Sequence, residues 1–166
     1  MKVHTFWGGP FSNWHLSDFE DSIYKENDQD VFSCYKFNCV EQYMMICKAL
    51  LFDDFGIAHE ILQTKEPNQQ KSLGRQIKNF DETKWHCVSR TVVAAGLQAK
   101  FEADENLMNY LLDTAGSVIV EASPHDRIWG VGLKEGDPDL NDMSKWKGLN
   151  WLGFLLTDLR VSIIGE

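Results

Sequence analysis

The sequence predicts an α+β fold: one mostly helical domain over residues 1–166, with a few short, scattered strands. Three observations carry this. Apolar residues recur at three- and four-residue intervals through most of the chain, whereas β-branched alternation is confined to short runs. The length of 166 residues lies within the usual size of one domain, and such a chain buries roughly 70% of its unfolded surface on folding. A composition of 43% hydrophobic and 25% charged residues with four prolines excludes a disordered or fibrous chain.

Val3 to Trp7 alternates as a strand, Gly8-Gly9-Pro10 breaks it, and Phe11-Ser12-Asn13-Trp14 follows as an aromatic-rich loop. Val31 to Lys36 reads as a second strand after the polar stretch Lys25 to Asp30, and a hairpin-like pairing of these two strands is expected. From Val40 to Phe52, Val40, Tyr43, Met44, Cys47, Leu50 and Leu51 fall on one stripe, with Asn38 as expected N-cap and Glu41 as its capping-box partner. Further helices are expected at Asp54 to Gln63, Asn68 to Lys78, Asp81 to Glu102 and Glu105 to Asp113. The longest starts from the cap Asp81 and places Trp85, Val88, Val92 and Ala95 or Ala99 on one face. Ser117 to Val120 is a β-branched break, Ser123-Pro124 a turn, and Ile128 to Leu133 another strand. After an acidic loop from Gly136 to Met143, a final helix runs from about Asn150 to Val161. There is no internal repeat and no low-complexity linker.

The net charge of −9 opposes nonspecific binding to phosphate backbones. The densest local exception is Lys65, Lys71, Arg75, Lys78 and Lys84, which a solvated helix face also explains. Cys34, Cys39, Cys47 and Cys87 show no Cys-x-x-Cys spacing, and no basic region followed by an apolar one opens the chain, so reduced thiols in a cytoplasmic protein are expected. No apolar run approaches the roughly 18 residues of a membrane span. No membrane partner is expected.

Glu41 and Lys48 lie seven residues apart. On a helix they share a face to within about 20° but differ in height by about 10.5 Å. That face borders the apolar stripe, where clefts open. A capping glutamate and a snorkelling lysine are the structural alternatives. The segment from Glu121 to Leu133 gathers carboxylates, His125, Arg127, Trp129 and the glycines Gly130 and Gly132. N-glycoside hydrolysis needs carboxylates for an oxocarbenium-like centre and for proton transfer, plus an aromatic face for the base, and Glu121, Asp126 and Trp129 supply them. A surface loop with an Asp–Arg ion pair and a core Trp would use the same residues. Gly130-Val131-Gly132 falls short of a dinucleotide fingerprint. Without clustered His and Cys ligands, neither a metal site nor a cofactor is expected.

In chain order, Phe11-Ser12-Asn13, Val40-Glu41-Gln42-Tyr43 with Lys48, Leu73-Gly74-Arg75, Trp85 with Val88, Ala99-Lys100-Phe101, Glu121-Ala122-Ser123-Pro124, Asp126-Arg127 with Trp129-Gly130 and Gly132-Leu133, and Asn150 with Leu152-Gly153, Leu156 and Arg160 stand out together. This set resembles the YbiA-like N-glycosidases, also called NADAR domains. The resemblance implies a metal-free, mostly helical α+β enzyme acting on ribosylamino-pyrimidine phosphates of early riboflavin synthesis, or on ADP-ribose linked to the amino group of guanine, alone or in nucleic acid. It implies Glu41, Lys48, Glu121, Asp126 and Trp129 as pocket residues, with Asn13 and Arg75 touching ribose or phosphate and Trp85 and Gly130 lining the substrate. Val93 stands where a methionine is expected, Gln42 where the family often has His, and Gly8-Gly9-Pro10 precedes the first motif.

Two chemical routes follow. In one, Trp129 or another pocket aromatic stacks the base, Arg75 holds a phosphate, and Glu121 or Asp126 protonates the leaving amine or activates water. In the other, a desolvated Lys48 captures the opened sugar as a Schiff base. A module that binds NAD or ADP-ribose without cleaving it is the non-enzymatic alternative; it would need the Trp and Arg but not the carboxylates.

Overall fold

The computed structural model describes residues 2–23 and 32–165. The expected polar stretch Lys25 to Asp30 and the residue Val31 lie outside them. The fold is α+β and mostly helical, as expected. The chain divides into two compact units: Met1–Ser12 with Asp104–Glu166, and Asn13–Ala103.

In the second unit, helix α1 (Val40–Leu51) is buried on almost every side, from Val40 to Ile46 and again at Ala49 and Leu50. It packs against α2 (Phe55–Gln63), α3 (Pro67–Gly74) and α4 (Glu82–Ala103). Close approach depends on two glycines. A Cβ at Gly74 would collide with Met45 Sδ, and one at Gly96 would fall 2.8 Å from Tyr43 Cδ1. The expected cap of α1 is corrected. Cys39, not Asn38, is the N-cap, its Sγ accepting from Gln42 N at 3.4 Å. Gln42, not Glu41, is then the residue three positions on, and its Oε1 accepts from Asn38 N at 2.8 Å. The bond to Asn38 N expected of Glu41 is thus made by Gln42. Asp81 does precede α4 as a cap, with Oδ1 accepting from Lys84 N at 2.9 Å. The buried stripe of α4 is Ser89, Val93, Gly96, Leu97, Lys100 and Phe101, displaced from the expected face by about one position.

The expected hairpin between the first two strands does not form. Strand β3 (Phe32–Phe37) instead pairs antiparallel with β2 (Phe19–Ile23), in a register that sets Glu20 opposite Lys36. Nothing in the local pattern announces β2, because its sequence is Phe-Glu-Asp-Ser-Ile, with only its ends apolar. Lys36 also pairs with Asp18 at 2.9 Å, so charge complementarity replaces hydrophobic alternation here.

In the first unit, β1 (Val3–Phe6) runs parallel to β4 (Val118–Glu121). The chain beyond β4 folds back irregularly: Val131 N donates to Glu121 O at 3.0 Å and Lys147 N to Val131 O at 2.9 Å. Ile128 to Leu133 is thus not a strand. Gly132 takes a positive φ of 70°, which ends any ladder there. Val120, Ala122, Val131, Leu133 and Leu140 form the core that this loop wraps. Asn150 ties it to the strand, donating from Nδ2 to Ile119 O and accepting at Oδ1 from Glu121 N, both at 3.0 Å. Helices α5 (Glu105–Leu112) and α6 (Trp151–Ile164) complete this unit.

Candidate active site

Lys48 is the centre of the arrangement in the second unit. Placed in the last turn of α1 and half-buried, it donates from Nζ to the Gly74 carbonyl at 2.9 Å. Its ammonium lies 4.4 Å from the Phe80 ring centroid and 5.9 Å from that of Trp85. Burial lowers its pKa below the ordinary lysine value; the Glu41 carboxylate opposes the shift, and the Arg75 guanidinium adds to it. A lysine in such surroundings keeps a larger neutral, nucleophilic fraction than a solvated one.

Glu41 is only 3% exposed and stands in the first turn of α1, where the helix N-terminus favours its charge. Its backbone N–H donates to Asn13 O at 2.9 Å. Asn13 is itself buried, and its Oδ1 has no hydrogen-bond partner among the described residues. An unsatisfied buried acceptor costs about 1–3 kcal/mol, a cost a donor on a ligand would remove. Arg75 is exposed at the end of α3, its charge felt at Lys48. The residues Asn13, Glu41, Lys48, Arg75 and Trp85 are therefore drawn together by α1, the loop before it and the elements packed on it. Gln42 binds the end of α2: its Nε2 donates to the carbonyls of Ile61, Leu62 and Thr64 at 3.1–3.2 Å.

The other four expected residues lie at the end of β4 and on the loop after it, in the first unit. Glu121 ends β4, half-buried. Asp126 shapes the loop: its Oδ1 accepts from Ile128 N and Trp129 N, both at 2.8 Å. Trp129 packs edge-on against Trp151, with centroids 5.6 Å apart. Gly130 is a point of crossing, since a Cβ there would fall 2.9 Å from Ser123 Cβ and 3.0 Å from Glu121 O.

Sequence reasoning misses the part played by two residues, Gly74 and Phe80. Gly74 stands out only as a motif residue, yet its carbonyl holds Lys48. Phe80 belongs to no motif. An apolar residue just before the cap Asp81, with Trp85 four positions after that cap, is the pattern of a hydrophobic staple and is the available signal. Lys100, a motif residue on α4, is 1% exposed, and burial lowers its pKa to about 7.

The fold and these side chains define a YbiA-like α+β domain. A family model described as "NADAR domain" matches residues 4–164, and the chain belongs to the NADAR domain family. Protein irg-1 of Caenorhabditis elegans is 38% identical over 156 residues, covering 90% of this chain and 73% of its own. N-glycosidase R617 of Acanthamoeba polyphaga mimivirus is 37% identical over 150 residues, covering 90% and 85%. The NMR structure of the Escherichia coli protein YbiA matches with a TM-score of 0.71 at 26% identity, covering 98% of this chain and 84% of that one. The N-glycosidase YbiA of Escherichia coli is 32% identical over 119 residues, 72% of this chain and 68% of its own.

Proposed function

We propose that this chain is a hydrolase of N-glycosyl bonds that cleaves between a ribose anomeric carbon and the exocyclic amine of a base, with Lys48 as the reacting amine. The carrying observation is the setting of Lys48: half-buried, directed by the Gly74 carbonyl and flanked by the Phe80 and Trp85 rings. The naming of two relatives as N-glycosidases supports the reaction class.

A glycosylamine opens when its ring oxygen is protonated, leaving an iminium between C1′ and the base nitrogen. Neutral Lys48 Nζ adds to C1′, and a proton passes from Nζ to the base nitrogen. The bond from C1′ to that nitrogen then breaks, releasing the free amine and leaving C1′ joined to Nζ as a Schiff base. Water adds to C1′, Nζ departs with a proton, and the sugar leaves as the aldehyde. Glu41, on the same helix face, is the proton carrier of this scheme, and Asn13 Oδ1 accepts from a ribose hydroxyl. Arg75 meets a substrate phosphate, and Trp85 offers the base an aromatic face. The route led by Asp126 is less favoured, because Asp126 Oδ1 already holds two backbone N–H groups.

Borohydride added during turnover tests the scheme, with ribosylamino-pyrimidine phosphate and ADP-ribosylated guanosine as parallel substrates. The expected result is a reduced adduct on Lys48 and no adduct in Lys48→Met. Glu41→Gln should lose turnover while ligand affinity stays within about tenfold, equivalent to about 1.4 kcal/mol. Turnover without an adduct, under conditions that trap a known imine enzyme, returns the chemistry to the carboxylates. Absence of turnover on both substrates, with binding intact, leaves a module that recognises NAD or ADP-ribose without cleaving it.

A further inference from the structure

Phe80 is an exposed aromatic, 45% accessible, which flanks Lys48 but takes no step in the scheme above. Its position is nonetheless fixed from several sides. The turn that carries it includes Asn79, whose φ of 54° is left-handed and holds the chain in a tight bend. Asp54 anchors that turn: its Oδ2 accepts from Lys78 N at 3.0 Å, while its Oδ1 accepts from Ile57 N at 3.2 Å to cap α2. The ring of Phe80 meets buried Phe52 edge-on at 5.4 Å, and Lys84 Nζ lies 5.6 Å from the Phe52 ring on its own account. A large apolar side chain so constrained, and yet left at the surface, covers something. What lies against it is the Lys48 ammonium, 4.4 Å from the ring centroid.

We propose that Phe80 is a positioning residue for Lys48: held by the Asp54-anchored turn, its ring shields one face of the amine from water and leaves Nζ directed by the Gly74 carbonyl. The proposal rests on the reading of Lys48 as the reacting amine, but its test does not need that reading to succeed.

Two effects of the ring oppose each other. An aromatic face attracts a cation, by about 0.5–1 kcal/mol at an exposed site, which favours the protonated lysine. Exclusion of water disfavours it. The charged groups acting on Lys48 are Glu41 from α1, which favours the ammonium, and Arg75 from the end of α3, which disfavours it; burial is the largest of these influences and lowers the pKa. In the proposal the water that the ring excludes outweighs its attraction for the cation, so that loss of the ring raises the pKa toward that of a solvated lysine.

Competitive acetylation of the intact protein across a pH series, read at Lys48 by peptide mass spectrometry, reports this without any substrate. In Phe80→Ala the labelling midpoint should rise by about one pH unit, so that the reactive amine at neutral pH falls about tenfold. Phe80→Leu keeps an apolar cover and should keep most of the wild-type midpoint. Asp54→Ala, which releases the turn but leaves the ring in the chain, should move it upward as well. Circular dichroism of each variant confirms that the fold is retained. An unchanged or lowered midpoint in Phe80→Ala, or a leucine variant indistinguishable from alanine, overturns the proposal. Turnover of Lys48→Met separates it from the functional reading: a raised midpoint in Phe80→Ala together with full activity in Lys48→Met upholds the shielding and removes Lys48 from the chemistry.

Discussion

Cys87 is exposed on α4, whereas Cys39 is fully buried and Cys47 largely so. Burial pushes the Cys39 thiol up to about 11 and the Cys47 thiol up to about 12, so neither offers appreciable thiolate near neutrality. Iodoacetamide at pH 8 should modify Cys87 in the native protein and reach Cys39 and Cys47 only after unfolding, as peptide mapping would record; early labelling of Cys39 would contradict its burial. The same shifts set an alkaline limit. A thiol whose folded pKa is raised contributes stability that is complete below the ordinary value of 9.0 and is lost as pH rises through about 11, so the urea midpoint should fall across that window. At this scale the sequence is most informative where one element supplies both partners. Glu41 and Lys48 share a helix, and their common face can be read from helical periodicity alone. The Gly74 carbonyl and the Phe80 ring come from other elements, and no local pattern states that a backbone oxygen will turn toward a lysine.

Helices are legible because each carries its own period and punctuation: Asp54, Asp104 and Asp81 stand before α2, α5 and α4 and accept their first free N–H groups. Strand partners are not, since pairing is a relation between distant segments and β2 lacks the alternation that would announce it. The packing of α4 on α1 illustrates how tertiary structure overrides local preference. Alanine is the better helix former by about 1 kcal/mol, yet Gly96→Ala would set a methyl 2.8 Å from Tyr43 Cδ1 and 3.3 Å from Val40 Cγ1. Overpacking of this kind costs about 1–3 kcal/mol. Gly96→Ala should therefore be net destabilising in urea, and Tyr43→Leu in the same chain should recover part of the loss. A stabilised single variant would show that α1 and α4 have room to separate.

For the whole molecule, the charge of −9 makes the basic stretch from Lys65 to Lys84 conspicuous. Lys71 Nζ lies 5.6 Å from the Trp14 ring centroid, and Lys84 Nζ reaches Leu51 O at 3.5 Å, so these two are not merely a solvated helix face. If the stretch meets a pyrophosphate or a neighbouring nucleic-acid phosphate, neutralising Lys71, Lys78 and Lys84 together should weaken processing of an ADP-ribosylated oligonucleotide. Its salt dependence should also flatten by about 0.7 to 0.9 for each phosphate no longer neutralised. Cleavage of a small ribosylamino-pyrimidine phosphate should hardly change, and equal oligonucleotide rates for wild type and triple variant across a salt series would count against the assignment. The pairing of β1 with β4 has a different kind of consequence, in time rather than in space. Val3–Phe6 leaves the ribosome long before its partner Val118–Glu121 is made, while every residue of the Asn13–Ala103 unit is already available. Because distant segments pair slowly and nascent chains fold by parts, the helices around α1 should show hydrogen-exchange protection in a released chain that ends shortly before residue 118, while the amides of β1 stay exposed for want of their partner strand.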